Sequence, residues 1–439
     1  MPTAASPRRR RPLAQPAWNQ PRLLEGIASD GSPTPLAVHR QSYPKPAQSG
    51  PGGWAQLIDL VDRAGLRGRG GAAFPTGRKL RSVADGARRA VVVANGTEGE
   101  PGSRKDTLLL ARAPHLVIDG CLWAAAAVGA DRVLICIDRS DTPGTAGVRR
   151  ALQERAATEP TPISIEVVST PPRYVAGEET ALLHFIAGGP AKPTAVPPRP
   201  FQRGVDGRPT LVQNVETLAH LTQIAVRGAD WFRQAGTPDE PGTALFSVSG
   251  AVASPCVVEA PIGTRLADIL AVAGAPDRPL QAVLVGGFFG TWVPVAALDA
   301  PCSRAGLQAF GAGPGAGVLI ALAEGSCGIT ETSRILAWYS AESAGQCGPC
   351  LFGLADLAKG TAALGAGQGG ADGVAQLRRW SDQIEGRGGC RHPDGAVRLL
   401  RSARAVFAAD FESHAHGMPC PPAAGPPALR VPRSATGWK

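Results

Sequence analysis

Three cysteines in the last quarter of the sequence have types and spacing that could do chemistry. Cys347 and Cys350 form a Cys-x-x-Cys pair in "ESAGQCGPC", residues 342–350, and Cys390 follows in "GGCRHPDG". Thiolates in such an arrangement ligate iron–sulfur clusters and metal ions. "CGPC" is also the string of thioredoxin-type dithiols, but those follow a strand, whereas a helical stretch and Gln346 come first here. Buried thiols without a role are a third interpretation, and the pattern leaves all three open.

A glycine-rich stretch, "GLRGRGGAAFPTGRKL" at residues 65–80, has the composition of a loop that holds a phosphate or a planar ring. Its glycines would let backbone N–H groups approach a ligand, and its basic side chains would add positive charge. These residues are Gly68, Gly70, Gly71, Arg67, Arg69 and Lys79. The stretch lacks the preceding strand that the dinucleotide-binding fingerprint requires. An ordinary loop is therefore the alternative.

Two acidic segments could complete a ligand site. In "ANGTEGEPGSRKD", which follows a β-branched run, Asn95, Glu98 and Glu100 could hydrogen-bond ribityl or ribose hydroxyls and a carboxamide. In "RYVAGEETALLHFIAGG", Gly177 precedes Glu178 and Glu179 at the start of an apolar helix. Acidic residues also occur in solvated turns and in first helical turns, where they complement the helix dipole. Neither segment identifies a site by itself.

The elements that must position these residues alternate between strand and helix. "ARRAVVVANG", "DRVLICID" and "ISIEVVST" read as strands, and helical stretches such as "LLLARAPHLVIDGCLWAAAAVGA" separate them. This order predicts an α/β fold with a parallel sheet. Ligands of such sheets collect beyond the carboxyl ends of the strands.

Composition restricts the class of protein. The chain has 439 residues with 55 glycines and 41 prolines, which favours several domains with many loops. Its nine cysteines lack the dense spacing of a secreted scaffold, and no signal peptide or membrane span is evident, so a cytoplasmic protein without direct membrane insertion is expected. The net charge of +9 is scattered, which argues against nucleic acid and suits attraction of an acidic redox partner.

The changes in pattern along the chain predict five segments. A disordered arm at 1–50 precedes an α/β domain at 51–240, a small β-grasp domain at 241–327 and a helical bundle at 328–416 that carries the cysteine loop. A loose tail occupies 417–439. The remaining thiols show no ligand spacing among themselves and are expected to be core or surface cysteines: Cys121, Cys136, Cys256, Cys302, Cys327 and Cys420.

Taken together, the motifs resemble a known family. "GLRGRGGAAFPTGRK", "NGTEGEPGSRKD", "YVAGEETALLHFIAGG", "PTLVQNVETLAHL" and "ESAGQCGPC" occur in the order of the flavin-bearing, NADH-oxidising subunit of respiratory complex I. The same pattern marks the diaphorase subunits of NAD-linked hydrogenases and formate dehydrogenases. The resemblance covers residues from about 50 to 415.

The resemblance implies an FMN domain, a β-grasp domain of the soluble-ligand-binding type and a helical bundle with a [4Fe–4S] cluster. By matched position, the FMN would be lined by Gly68, Gly70, Gly71, Lys79, Asn95, Tyr174, Gly177, Glu178, Glu179 and Asn214. Phe74, Glu100 and Glu179 would face the nicotinamide nucleotide, with Glu100 and Glu179 as the catalytic pair.

The chain also departs from the family. The family's loop has three cysteines before the distant fourth one, and here Ala344 replaces the first. The metal ligands would be Cys347, Cys350 and Cys390, with water, His392 or Asp394 on the open iron. Val196 and Arg199 replace a lysine and an adenine-stacking phenylalanine, and Arg199 could still stack on adenine or attract a 2′-phosphate and favour NADPH. No [2Fe–2S] cysteine set precedes the flavin domain.

The expected function is that of an NAD(P)H dehydrogenase component of a larger complex. A hydride would pass to FMN, and electrons would pass through an atypical cluster to a ferredoxin-like or [2Fe–2S] partner. Two alternatives remain: a flavin adaptor that exchanges electrons with ferredoxin without nicotinamide, and a non-catalytic scaffold that kept the fold.

Overall fold

The computed structural model describes residues 21–27, 31–45, 53–86 and 89–439. The first part of the chain up to Arg233 contains strands β1 (Val91–Gly96), β2 (Arg132–Asp138), β3 (Ser164–Thr170) and β4 (Thr210–Asn214). The helices of this part are α1 (Leu36–Ser42), α2 (Gly53–Ala64), α3 (Thr76–Ala84), α4 (Lys105–Arg112), α5 (Pro114–Val128), α6 (Thr142–Thr158), α7 (Glu179–Ile186), α8 (Val215–Arg227) and α9 (Ala229–Arg233).

These four strands form one parallel sheet in the order β3-β2-β1-β4. Residues 91–94 of β1 are fully buried, because helices cover both faces of the sheet. The chain runs from β1 outward to β3 and then returns to place β4 on the other side of β1. The ends of β1 and β4 are therefore the point where the strand order reverses, and Asn95 pairs with Asn214 there.

The apolar stretch between β1 and β2 is two helices and not one. Pro114 occupies the first turn of α5, and Ala113 before it has φ −127° and ψ 45°, outside the helical region. The two helices meet at a bend of 96°. Within the described ranges, no single helix is long and apolar enough to cross a membrane. The two helices of this bent pair, taken together, have the length and the apolar composition of a span.

The second sheet is mixed and has the order β6-β5-β9-β7-β8. Its strands are β5 (Thr243–Gly250), β6 (Cys256–Pro261), β7 (Leu280–Val285), β8 (Thr291–Pro294) and β9 (Val318–Ala323), and its helices are α10 (Leu266–Val272) and α11 (Arg304–Leu307). Only the β5–β9 pair is parallel. The buried side chains of α10 pack against one face of this sheet.

The last part of the fold is helical. It consists of α12 (Gly328–Ala341), α13 (Leu354–Gly365), α14 (Gly370–Ile384), α15 (His392–Val406) and α16 (Ala408–Ala415). A buried cluster joins these helices to the outer face of the second sheet through Trp292 and Phe407, whose rings lie 5.3 Å apart. The predicted fold class is confirmed: a parallel-sheet domain is followed by a small β domain and a terminal helical region.

The two ends of the chain contact this framework. Of the predicted arm 1–50, residues 1–20, 28–30 and 46–50 lie outside the described residues. The backbone N–H groups of Arg22 and Leu24 donate to Glu259 of β6 at 2.9 and 3.0 Å. In the segment predicted as a tail, Leu429 is buried, and the Trp438 ring lies 4.1 Å from the guanidinium of Arg173. Both segments thus bridge parts of the fold that are distant in sequence.

Glu100 connects the first domain to the second. Its carboxylate accepts hydrogen bonds from the backbone N–H groups of Phe288 at 2.7 Å and Phe289 at 3.4 Å, in the β7–β8 turn. Gly287 has φ +76°, and a Cβ there would lie 2.4 Å from the Glu100 carboxyl carbon. Burial raises the pKa of Glu100 to about 7. The domain contact therefore contains an acid that favours its neutral form.

This contact predicts a pH-dependent difference between the native protein and Glu100→Gln. Because the folded pKa lies above the ordinary value of 4.5, the native protein loses stability relative to the variant as pH rises from about 4.5 to about 7. The full difference is roughly 3 kcal/mol as an upper bound. Urea denaturation midpoints at pH 5 and pH 8 measure it. The exposed Glu324→Gln is the control, and parallel pH profiles for native protein and Glu100→Gln would contradict the prediction.

Candidate functional site

The glycine-rich loop between α2 and α3 lies at the reversal point of the first sheet. The Gly68 N–H donates to the Phe74 carbonyl at 2.9 Å, which closes the loop on itself. Gly71 has φ +106°, a conformation that other residues avoid. A Cβ on Gly70 would lie 3.3 Å from the Cβ of Asn214. The loop therefore passes directly over the carboxyl end of β4, and its glycines keep the backbone accessible.

The end of β1 is tied to the turn before α7. The Asn95 side-chain N–H donates to the Gly177 carbonyl at 2.9 Å, and its Oδ1 accepts from the Thr97 hydroxyl at 2.7 Å. A Cβ on Gly177 would lie 2.5 Å from that hydroxyl. A glycine is therefore required at 177 for this close approach. Three sequence motifs, at 65–80, 95–106 and 174–179, meet at one edge of the sheet.

Lys79 and Glu179 form an ion pair at the rim of this edge, with 2.7 Å between Nζ and Oε1. Both side chains keep about a third of their surface exposed, 29% and 34%. Phe74, in the same loop, has 49% of its surface exposed. An exposed aromatic ring and two accessible charges beside a glycine loop are suited to a ligand with both a planar ring and a phosphate.

Glu98 and Glu178 cap helices. Glu98 accepts from the N–H groups of Asp106 at 2.9 Å and Thr107 at 2.8 Å, at the start of α4. Glu178 accepts from those of Thr180 and Ala181 at 3.0 Å each, at the start of α7. These carboxylates satisfy N–H groups that have no partner inside the helix. They shape the loops of the site by holding the helix starts in place.

Two other predicted site residues lie inside the protein. The Arg69 guanidinium is buried and donates to the carbonyls of Pro241 at 3.3 Å and Thr243 at 3.0 Å. Arg69 thus fastens the glycine loop to the start of β5. Glu100 is only 8% exposed and occupies the domain contact described above.

A buried group of charges supports the same edge and was not identified from the sequence. The Lys105 Nζ lies 2.7 Å from Asp106 Oδ1 and 2.9 Å from Glu216 Oε2. The Asn214 side-chain N–H donates to Asp106 Oδ2 at 2.7 Å. Burial raises the pKa of Asp106 to about 7 despite the neighbouring ammonium. One signal of this group is present in the sequence: Lys105 and Asp106 are adjacent and opposite in charge in the "RKD" string of the second motif. Such charges are seldom fully buried unless they are paired.

Tyr174 links this edge to the cysteine loop. Its backbone N–H donates to Glu342 Oε2 at 2.9 Å, and Glu342 directly follows α12. Its ring lies 5.1 Å from that of Trp338 and 5.7 Å from that of Tyr339. Burial raises the pKa of Tyr174 well above its usual value, so the hydroxyl stays protonated.

The three predicted metal ligands lie in two loops of the helical region, one before α13 and one before α15. The Cys350 N–H donates to the Cys347 carbonyl at 3.0 Å in the turn that leads into α13, and Cys390 lies just before α15. Burial, with the neighbouring thiols of Cys347 and Cys390, raises the pKa of Cys350 to about 12. Ala344 is buried and offers no ligand. Cys347 and Cys390 are thus near enough to influence Cys350, and the three thiols stay the predicted ligands of an iron–sulfur cluster that a non-cysteine ligand would complete.

The two side chains proposed as a fourth ligand differ in what they have to offer. The His392 Nε2 lies 2.9 Å from the Tyr339 carbonyl, while its Nδ1 is buried and has no hydrogen-bond partner in the described part of the chain. Burial lowers the pKa of His392 to about 4, so the ring is neutral. Asp394 accepts from the Gly386 N–H at 2.8 Å and from Arg391 at 2.9 Å. Of these two side chains, His392 would therefore offer a fourth ligand to a cluster more readily than Asp394 would.

Comparison with known proteins identifies both the domain that carries the glycine loop and the region that carries the cysteine loop. Residues 61–223 match the model of the Nuo51 FMN-binding domain, residues 245–283 match the SLBB domain, and residues 330–414 match the NADH-ubiquinone oxidoreductase-F iron-sulfur binding region. The chain therefore has an FMN-binding domain and a 4Fe–4S binding region. The cysteine loop lies within the latter.

Whole-chain similarity agrees with these matches. The chain is 32% identical over 381 residues to an NADH-quinone oxidoreductase F subunit of Rhizobium meliloti, covering 83% of this chain and 90% of that one. It is 33% identical over 377 residues to the corresponding protein of Streptomyces coelicolor, covering 83% and 84%. An NAD+-reducing [NiFe]-hydrogenase in the H2-reduced state superposes with a TM-score of 0.79 at 30% identity, covering 90% of this chain and 67% of that chain. The chain belongs to the family of NADH-quinone oxidoreductase F subunits, which are oxidoreductase flavoproteins.

Proposed function

We propose that this protein oxidises a reduced nicotinamide nucleotide at FMN and delivers the electrons through a three-cysteine iron–sulfur cluster to a separate [2Fe–2S] or ferredoxin-like protein. The observation that carries the proposal is the meeting of the glycine loop, Asn95 and Asn214 at the reversal point of the parallel sheet. This is the position where open α/β sheets bind nucleotides.

The rim residues have defined tasks in this proposal. Lys79 supplies positive charge for the flavin mononucleotide, and Glu179 holds the Lys79 ammonium in place through their 2.7 Å contact. Phe74 presents an exposed ring against which a nicotinamide or flavin plane can stack. FMN supplies the hydride-accepting chemistry and the exchange of single electrons when it is bound. The chain would hold the FMN in position.

A direct contact connects the flavin edge with the cluster loop. The turn at Tyr174–Gly177 touches Asn95 at one end and the end of α12 at the other. The Arg173 guanidinium donates to the Ala341 carbonyl at 2.8 Å and lies 3.3 Å from Glu342. The two centres would therefore be joined by packed protein, which includes the rings of Tyr174, Trp338 and Tyr339.

The surface beside the cluster loop suits a protein partner. Leu351 and Phe352 directly follow Cys350 and are 54% and 69% exposed. The Arg391 side chain next to Cys390 is 84% exposed. An exposed apolar pair next to one cluster cysteine and an exposed arginine next to another would complement a small acidic electron carrier. All nine cysteines are free thiols, which suits a reducing compartment such as the cytoplasm, and we place the protein there as one component of a larger complex.

Lys79→Gln tests the flavin site. Loss of a charged hydrogen bond to a phosphate costs about 1.5–3 kcal/mol, so FMN affinity should fall about 10- to 100-fold. Fluorescence titration of the apoprotein with FMN measures this. Arg81→Gln on the same helix removes an equal charge that pairs with Asp59 and Asp62 at the surface, and it should leave the affinity unchanged.

Anaerobic NADH or NADPH should bleach the bound flavin of the native protein. Flavin that is reduced by ferredoxin but by neither nucleotide would refute nucleotide oxidation and select the adaptor function.

Ala344→Cys tests the cluster. The new thiol would stand where the family's first cysteine stands, and a fourth thiolate should raise iron retention and lower the reduction potential. Iron and sulfide assays after anaerobic purification and a redox titration followed by EPR measure both effects. Ala362→Cys adds an exposed thiol on α13 as a control. Equal iron content and potential in the native protein and Ala344→Cys would argue against a cluster at this loop.

Phe352→Ser tests the partner surface. Removing an exposed aromatic contact should slow electron delivery to a ferredoxin-type acceptor about tenfold, through about 1.4 kcal/mol of lost binding. Stopped-flow kinetics should show flavin reduction by NADH at the native rate. Val295→Ser replaces another exposed apolar residue, on the second domain, and should change neither rate. A native acceptor rate in Phe352→Ser would place the partner elsewhere.

A further inference from the structure

We propose that Cys327, His414 and Cys420 form a second metal site, which binds one Zn²⁺ ion and is separate from the iron–sulfur loop. One potential ligand atom from each residue lies within 4.8 Å of the others. The residues come from the start of α12, from α16 and from the segment after α16, so the fold brings together side chains that are distant in sequence. This inference does not depend on the proposed function.

His414 is already in the tautomer that a metal requires. It is fully buried, and its Nδ1 lies 3.1 Å from the Leu364 carbonyl, so the ring proton belongs on Nδ1. Its Nε2 therefore carries the lone pair, which accepts from the Cys420 N–H at 3.0 Å, and a bound metal would take this lone pair in place of that hydrogen bond. A carbonyl that accepts the other ring N–H is the usual support of a metal-bound histidine.

Cys327 lies at the start of α12, and hydrogen bonds fix the position of its sulfur. It is the N-cap residue of α12 and is buried. Its sulfur accepts from the Thr330 N–H at 3.4 Å and from the Thr330 hydroxyl at 3.3 Å. The Cys327 sulfur is therefore held in place at the start of the helix, close to His414 and Cys420.

The donor set selects zinc among the common ions. Two thiolates and one imidazole are soft or borderline ligands, which suit Zn²⁺ and exclude Mg²⁺ and Ca²⁺. With Zn–S near 2.3 Å and Zn–N near 2.0 Å, the ligand atoms of a tetrahedral site lie about 3.5–3.8 Å apart. Each pair of ligand atoms would need to approach by about 1.3 Å at most. Cys420 is half-buried and can make most of that movement. Water would complete the tetrahedron.

The site is distinct from the cysteine loop. Cys327 precedes α12, whereas Cys347 and Cys350 follow it. A helix of 14 residues is about 21 Å long at about 1.5 Å per residue. No single cluster could use thiols from both ends, so iron at the loop and zinc at Cys327 would be independent.

The metal would fasten residues 417–439 to the helices. Beyond Cys420, the N–H groups of Ala428 and Leu429 donate to Glu331 at 2.8 and 3.2 Å. Further on, the Trp438 carbonyl accepts from the Ala191 N–H at 2.8 Å, and its ring stacks with Arg173. Arg173 adjoins Tyr174, so this segment connects the zinc site to the turn that touches the flavin edge.

Metal analysis of the full chain, purified anaerobically with its iron, tests the proposal. The native protein should contain about one zinc per chain, and Cys420→Ser should contain at least tenfold less, with iron and sulfide unchanged. Cys256→Ser removes another half-buried thiol, on β6, and should keep its zinc. Iron that falls with Cys420→Ser in place of zinc would overturn the assignment of the metal.

A second measurement does not depend on the folding of a variant. After zinc is removed from the native protein with a chelator, added Co²⁺ should give the intense visible bands and thiolate charge-transfer absorption of a tetrahedral site, and zinc should bleach them. Protease cleavage within 417–439 should be faster in the zinc-free form. The proposal is overturned if the native protein carries less than a tenth of an equivalent of zinc and takes up no Co²⁺. It is also overturned if mass spectrometry detects a Cys327–Cys420 disulfide in the anaerobic protein.

Discussion

The parallel pairing of β1 with β4 is the interaction on which the site depends. It sets Asn95 opposite Asn214 at the edge of the sheet. The glycine loop lies against Asn214, and the turn before α7 is bonded to Asn95. A change of two residues in this register would shift the asparagines by nearly 7 Å relative to each other and would separate the motifs that meet there. The fully buried valines of β1 fix the register, because a slip would expose or misplace them.

The charged side chains at this edge fall into two classes: buried ones that support the loops and partly exposed ones that a ligand can reach. Lys105, Asp106 and Glu216 satisfy one another below the surface, and breaking such a group by removing one member leaves an uncompensated buried charge. Glu98 and Glu178 use their hydrogen-bonding capacity on helix starts. Lys79 and Glu179 keep part of their surface exposed and are the charges available to a ligand. Acidic residues that look equivalent in the sequence thus have three different environments.

The helical region acts through contacts at the two ends of α12. At its C-terminal end, Glu342 meets Arg173 and the Tyr174 N–H, so the cluster loop and the flavin edge are in direct contact. At its N-terminal end, Cys327 lies beside His414 and Cys420. The segment that follows Cys420 reaches Trp438, and the Trp438 ring lies over the guanidinium of Arg173. Both ends of one helix are therefore connected to the turn at Tyr174–Gly177.

The sequence alone determined the class of fold, the family and the convergence of three motifs, because glycine positions, β-branched runs and Cys-x-x-Cys spacing are local signals. It also predicted Cys347, Cys350 and Cys390 as cluster ligands, and all three lie within the 4Fe–4S binding region. It did not show that Arg69 is buried under β5 or that Glu100 joins two domains, since both facts depend on residues about 170 to 190 positions away. The break at Pro114 and the grouping of Cys327 with His414 and Cys420 likewise depend on how the chain packs. Residues that are close in sequence determine the local motifs, but burial and contacts between distant segments exist only once the whole chain has folded.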